Sequence, residues 1–218
     1  MAWDEHAERE EARYADALAR MPNEPDSRQK QLVRAAMAAG GAALARLMQG
    51  RSAEAAGWFA RSAERYRESW PDAPPASWGR LIGALKARIL AQDWEGAEAD
   101  ARWALEQDPA AGDSPIGAYA ATLARLVLGD DLQAAELAEI LRVAGESAFP
   151  ASVAEAVRGL AAGDARAYAA GCAGVLASFE AREAYLEDIP VADTVIVLEA
   201  LAERRGMATR PSSPLLPG

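Results

Sequence analysis

The sequence predicts an all-α protein, a right-handed stack of antiparallel helical hairpins with about nine to ten helices. Three observations predict it. A short turn recurs as Leu90-Ala91-Gln92-Asp93-Trp94-Glu95-Gly96-Ala97, Leu128-Gly129-Asp130-Asp131-Leu132-Gln133-Ala134-Ala135 and Leu160-Ala161-Ala162-Gly163-Asp164-Ala165-Arg166-Ala167. Its Asp residues, Asp93, Asp130 and Asp164, stand 37 and then 34 residues apart, the period of stacked helix pairs. Alanine dominates the apolar content, which favours closely packed helices, and no alternating strand pattern interrupts it.

The first helix is expected over 3–21, with a thin apolar stripe (Ala7, Tyr14, Leu18, Met21) suited to an outer position and a stop at Pro22-Asn23-Glu24-Pro25. The second spans 27–48 and carries Gly40-Gly41 in its middle, marking a kink or a close helix contact. Gly50 closes it, and Ser52 opens a third helix to Trp70 with Phe59, Tyr66 and Trp70 on one stripe. Pro71-Asp72-Ala73-Pro74-Pro75 then breaks the chain. Paired helices follow at 77–91 with 93–107, 115–128 with 131–144, and 151–162 with 164–182, Asp serving as N-cap and Gly as the residue after the helix. A last helix covers 191–205, and the proline-rich tail 211–218 carries Leu215 and Leu216 to dock it on the body. The expected organisation is one helical domain over 1–218: N-terminal helices 1–70, a Pro-rich turn 71–76, hairpin repeats 77–182, then the final helix and tail 183–218.

Composition narrows function. Net charge is −10, from 33 acidic and 23 basic residues, which argues against nucleic acid as a ligand because phosphate binding needs clustered cations. No apolar run reaches the ~20 residues of a membrane span, and the acidic start Met1-Ala2-Trp3-Asp4-Glu5-His6 is unlike a signal peptide, so a cytoplasmic location is expected. Cys172 and His6 are single, which puts a disulfide and the usual His/Cys metal sites out of reach. No phosphate loop, nucleophile elbow or metalloprotease helix is present, so no catalytic residue, metal or cofactor is expected.

Two constellations are candidate partner-binding sites. Five of six tryptophans (Trp58, Trp70, Trp78, Trp94, Trp103) fall within 46 residues. They read either as packing between hairpins or as an aromatic groove around the proline turn, with Trp70 and Trp78 flanking it and Arg80 as its gate. The segment 180–193 holds Glu180, Glu183, Glu187, Asp188 and Asp193 against Arg182 alone. Glu180, Glu183 and Glu187 share a face if the helix extends so far. Such a face suits a basic protein partner, a solvated surface, or in principle Mg2+.

The 77–110 unit resembles a tetratricopeptide repeat in its second helix. Trp94, Ala97, Ala104, Leu105 and Pro109 occupy that family's aromatic, small, small, apolar and proline positions, while Leu85 and Arg88 depart from it in the first helix. The alternative is a generic helical bundle. The C-terminal third is similar to the immunity protein 49 family of bacterial polymorphic toxin systems, through Phe179, Arg182-Glu183-Ala184-Tyr185, the run Val191–Leu198, Ala202, Arg205-Gly206 and Ser213-Pro214-Leu215-Leu216-Pro217. That resemblance implies a cytoplasmic, non-catalytic protein that neutralises a cognate toxin, and the toxin domain or peptide is expected to be basic. The rival readings are a scaffold for peptide segments and a carboxylate-based enzyme. Self-association through Ala-rich faces is compatible with each.

Overall fold

The computed structural model describes residues 3–144 and 149–218 and is all-α, with ten α-helices and one 3-10 turn among the described residues. The chain forms two compact units. One comprises 1–93, 183–191 and 214–218, and the other 94–182 and 192–213. The proline turn 71–76 is internal to the first unit, and the division falls at Asp93.

The first unit holds α1 (Trp3–Ala19), α2 (Pro25–Met48), α3 (Ser52–Glu68) and α4 (Gly79–Leu90), each packed on its neighbour in sequence. Helix α2 starts at Pro25 because Glu24 caps it, its carboxylate accepting from the Asp26 and Ser27 N–H groups at 3.0 and 2.8 Å. It is central, burying Leu32, Ala35, Ala36, Ala39, Ala42, Ala43 and Ala45. Gly40-Gly41 resolves as close contact within a continuous helix. A Cβ on Gly41 would lie 3.0 Å from both Glu10 Cγ and Ile189 Cδ1, so the missing methyl admits α1 and the 186–189 turn to the backbone of α2. Outer helix α1 buries Ala7, Glu10, Tyr14 and Ala17, while Leu18, expected on its inner stripe, is exposed.

The second unit holds α5 (Trp94–Glu106), α6 (Pro115–Leu128), α7 (Asp131–Ala144), α8 (Ala151–Ala162), α9 (Ala165–Glu180) and α10 (Asp193–Glu203). Helices α5 to α9 pack consecutively, and α10 lies on α8 and α9. The repeated turns share one geometry. Gln92, Gly129 and Gly163 sit in the left-handed region (φ +57°, +73° and +66°), each just before its Asp. The N–H groups of Asp93, Asp130 and Asp164 reach back to the carbonyls of Arg88, Arg125 and Gly159 at 3.0, 3.0 and 2.9 Å, the helix-ending loop that a left-handed residue permits. Asp164 caps α9 through bonds from Arg166 N and Ala167 N. Asp130 departs from the expected capping role, because its carboxylate accepts from the Arg125 guanidinium at 2.9 Å instead.

Helices α8 and α9 meet backbone to backbone. A Cβ on Gly159 would stand 2.4 Å from Tyr168 N, and one on Gly171 would stand 2.4 Å from Ala156 N. Arg205, after α10, ties this unit together: its guanidinium donates to the Leu126 carbonyl at 2.7 Å and pairs with Asp131 at the start of α7.

Candidate binding surfaces

Arg80 is not a gate. It is 9 % exposed, and its guanidinium donates to the Ser69 carbonyl at the end of α3 and to the Gln29 amide oxygen on α2. Desolvation lowers its pKa from the ordinary arginine value, the mark of a cation used as an internal tie. Gln29 passes the network on to Asp26 at 3.1 Å. Trp70 and Trp78 do stack across the proline turn, ring centroids 6.0 Å apart and tilted by 30°, both half-buried. Trp58 and Tyr14 meet in a T-shaped pair at 5.4 Å, Arg61 lies over the Trp58 ring at 4.3 Å, and Arg204 covers Trp94 at 4.3 Å. Trp103 is half-buried as well.

Glu180, Glu183 and Glu187 do not share a helical face, because α9 stops at Glu180. Glu183, Glu187 and Asp188 fall in the first unit, Glu180 and Asp193 in the second. Glu187 is turned inward: its side chain is 12 % exposed and pairs with the Arg13 guanidinium, and its carbonyl accepts from Arg9 at 2.6 Å. Arg9 and Arg13 also hold Glu10, which is wholly buried, at 2.8 Å each. Periodicity on α1 could not expose this cluster, since Glu187 lies 178 positions from Arg9 and 174 from Arg13. Glu180 accepts from the Ser213 hydroxyl at 2.8 Å. Asp193, half-buried, opens α10 and accepts from Thr194 at 3.3 Å. Glu183 and Asp188 are exposed.

Ahead of the tail, Thr209 and Arg210 are held within the second unit by α10. Glu199 accepts from Thr209 N and Oγ1 at 2.9 and 2.8 Å, from Arg210 N at 2.6 Å, and from the Tyr168 hydroxyl. Desolvation pushes the Glu199 carboxyl up, yet these donors outweigh it and hold the pKa below the usual carboxylate value. Burial, together with the Glu199 bond, raises the Tyr168 phenol. Cys172 lies buried beside this network, its thiol also raised by desolvation, and so resembles a packed core residue more than a nucleophile.

No family model, curated protein or solved structure matches this chain. The surface therefore has to be read from its own chemistry. Among the described residues, no group of three or more His, Cys, Asp or Glu is placed to hold a metal, and no helix is long and apolar enough to cross a membrane.

The strongest surface feature was not singled out from the sequence. Leu132, Ile140 and Val143 on α7 are 76, 51 and 70 % exposed. Helix α7 buries Ala134, Ala138 and Leu141 against its neighbours, which leaves these three exposed together with Gln133, Glu136 and the Glu139–Arg142 ion pair. The signal was a helix apolar on two faces, more than one core contact consumes. Ile140 also lines a groove of about 270 Å³ with Leu105, Pro109 and Leu137, where Asp108 and Glu136 supply exposed carboxylates.

Proposed function

We propose that the protein is a non-catalytic protein-binding module that receives a basic partner along α7 and the neighbouring groove. The observation that carries this is the exposed Leu132, Ile140 and Val143 on a single helix, since clustered apolar surface marks interaction sites. Charge supports the sign of the partner. The unit bearing α7 has 17 acidic against 9 basic residues, whereas the other has 16 against 14, so −8 of the net −10 belongs to the unit that carries this surface. A partner with apolar anchors ringed by Lys and Arg fits it, gaining association rate from the field and residence time from the anchors. Together with the C-terminal resemblance to the immunity protein 49 family, the reading becomes a cytoplasmic immunity protein that neutralises a basic toxin domain. The tetratricopeptide-like turns support a binding role of the same kind.

The test compares tagged wild-type protein with Ile140→Glu/Val143→Glu in low-salt capture from the native host. One dominant basic partner, released by salt and lost with the variant, is expected. Purified partner should bind the variant at least about tenfold more weakly, given about 1.5–3 kcal/mol for each apolar side chain fully buried. Several weak partners unaffected by the variant would favour the peptide scaffold and refute this surface.

A further inference from the structure

The net charge of −10 argues against an extended nucleic-acid surface, yet cations do gather at one place. A groove of about 550 Å³ runs between the C-terminal half of α1 and the N-terminal half of α2. The lining residues recur at i, i+3, i+4 and i+7 from both sides: Arg13, Asp16 and Ala17 of α1 with Arg20 just past its end, and Ser27, Lys30, Gln31 and Arg34 of α2. Four cations thus face one carboxylate in a chain of net charge −10. The walls are pinned to each other by the Gln31 amide, which donates to the Ala17 carbonyl at 3.1 Å.

The cations differ in how firmly they are held. Arg13 is committed to Glu10 and Glu187. Arg20 and Lys30 pair with Asp16 and Asp26 at 2.8 and 2.7 Å, but all four side chains are more than half exposed, and such pairs are cheap to break. Among the described residues, Arg34 donates only to the neutral Gln31 amide oxygen, at 3.2 Å. The N-terminus of α2 contributes little, because Glu24 already occupies its first N–H groups. The site is therefore one of side-chain donors: two guanidinium forks and an ammonium that can turn to a ligand.

We propose that this groove binds a compact polyanion carrying phosphate groups. Guanidinium groups match phosphate oxygens in paired fashion, and the volume exceeds that of a single phosphate while lying within the usual range of small-molecule clefts, about 300–1,000 Å³. Among the described residues no aromatic ring lines the groove, so the chemistry present is that for linked phosphates and not for a nucleobase. This site is on the unit that does not contain α7 and does not rest on the partner proposed above.

The test is calorimetric titration of the full chain with sodium triphosphate at fixed ionic strength. Saturable binding at one site per chain is expected. Arg34→Gln and Lys30→Gln should each weaken it about tenfold through loss of a charge-assisted bond, while Arg51→Gln, a cation of the same unit outside the groove, should leave it unchanged. Circular dichroism confirms that each variant is folded. No saturable heat, or equal loss in all three variants, would overturn the site. If a Glu/Asp-rich peptide displaces triphosphate at equal or lower concentration, the groove reads an acidic protein segment and the phosphate assignment is wrong.

Discussion

Replacing Gly171 by Ala adds one methyl group where α9 crosses α8. Its carbon would sit 2.4 Å from Ala156 N and 2.7 Å from Ala156 Cα. Reaching ordinary contact, about 3.5 Å or more, requires the helices to part by roughly 1 Å. The obstacle is backbone within a helix and cannot swing aside as a side chain would. Overpacking costs about 1–3 kcal/mol, and here the upper end applies; removing Gly from a helix returns about 1 kcal/mol. The net is a destabilisation of about 2 kcal/mol, a fall in melting temperature of about 4–8 °C for a chain of this size. Gly57→Ala in α3 is the control, because nothing lies within 4 Å of its added Cβ. It should stabilise by about 0.5–1 kcal/mol. Thermal and urea unfolding followed by circular dichroism give both values. Equal signs for the two substitutions would refute the claim that α8 and α9 pack backbone to backbone.

Three further outcomes are expected. Gln92→Gly should be about 1 kcal/mol more stable than Gln92→Ala in urea titration, because Gln92 occupies at φ +57° the left-handed position that Gly129 and Gly163 fill in the equivalent turns; equality would mean that the turn carries no strain. Arg205→Met should cost about 1.5–3 kcal/mol, since it strips Asp131 of its partner and the Leu126 carbonyl of a charged donor, and a double-mutant cycle with Asp131→Asn should show coupling; additive effects would deny the tie. Glu199 has its folded pKa depressed, so its contribution is fully present above the unfolded value of about 4.3 and is lost as pH falls through the folded value. Melting temperature should therefore drop more steeply on acidification in wild type than in Glu199→Gln, and parallel profiles would contradict the proposed grip on Thr209 and Arg210.

Helix boundaries were legible because their causes are local. Ser114-Pro115 and Gly129 bracket α6, and Gly163-Asp164 separates α8 from α9, through caps and left-handed turns that depend on neighbouring residues alone. The spans read for α6, α7 and α8 coincide with those observed. The candidate site was less legible. Glu187 looked like part of an acidic face, yet the helix ends at Glu180, and Arg13 draws Glu187 inward. Arg80 looked like a surface cation beside an aromatic turn, yet Ser69 and Gln29 hold it inside.

Periodicity and capping thus established that the chain is helical, where its turns lie and that alanine lets its helices approach. Only the tertiary structure decided which carboxylates are spent on internal arginines, which glycines receive another backbone, and that Leu132, Ile140 and Val143 are left uncovered. The physical reason is range. Backbone hydrogen bonding and side-chain period are settled within a few residues, whereas burial and charge pairing depend on segments such as 186–189 that return to α1 and α2 from far along the chain.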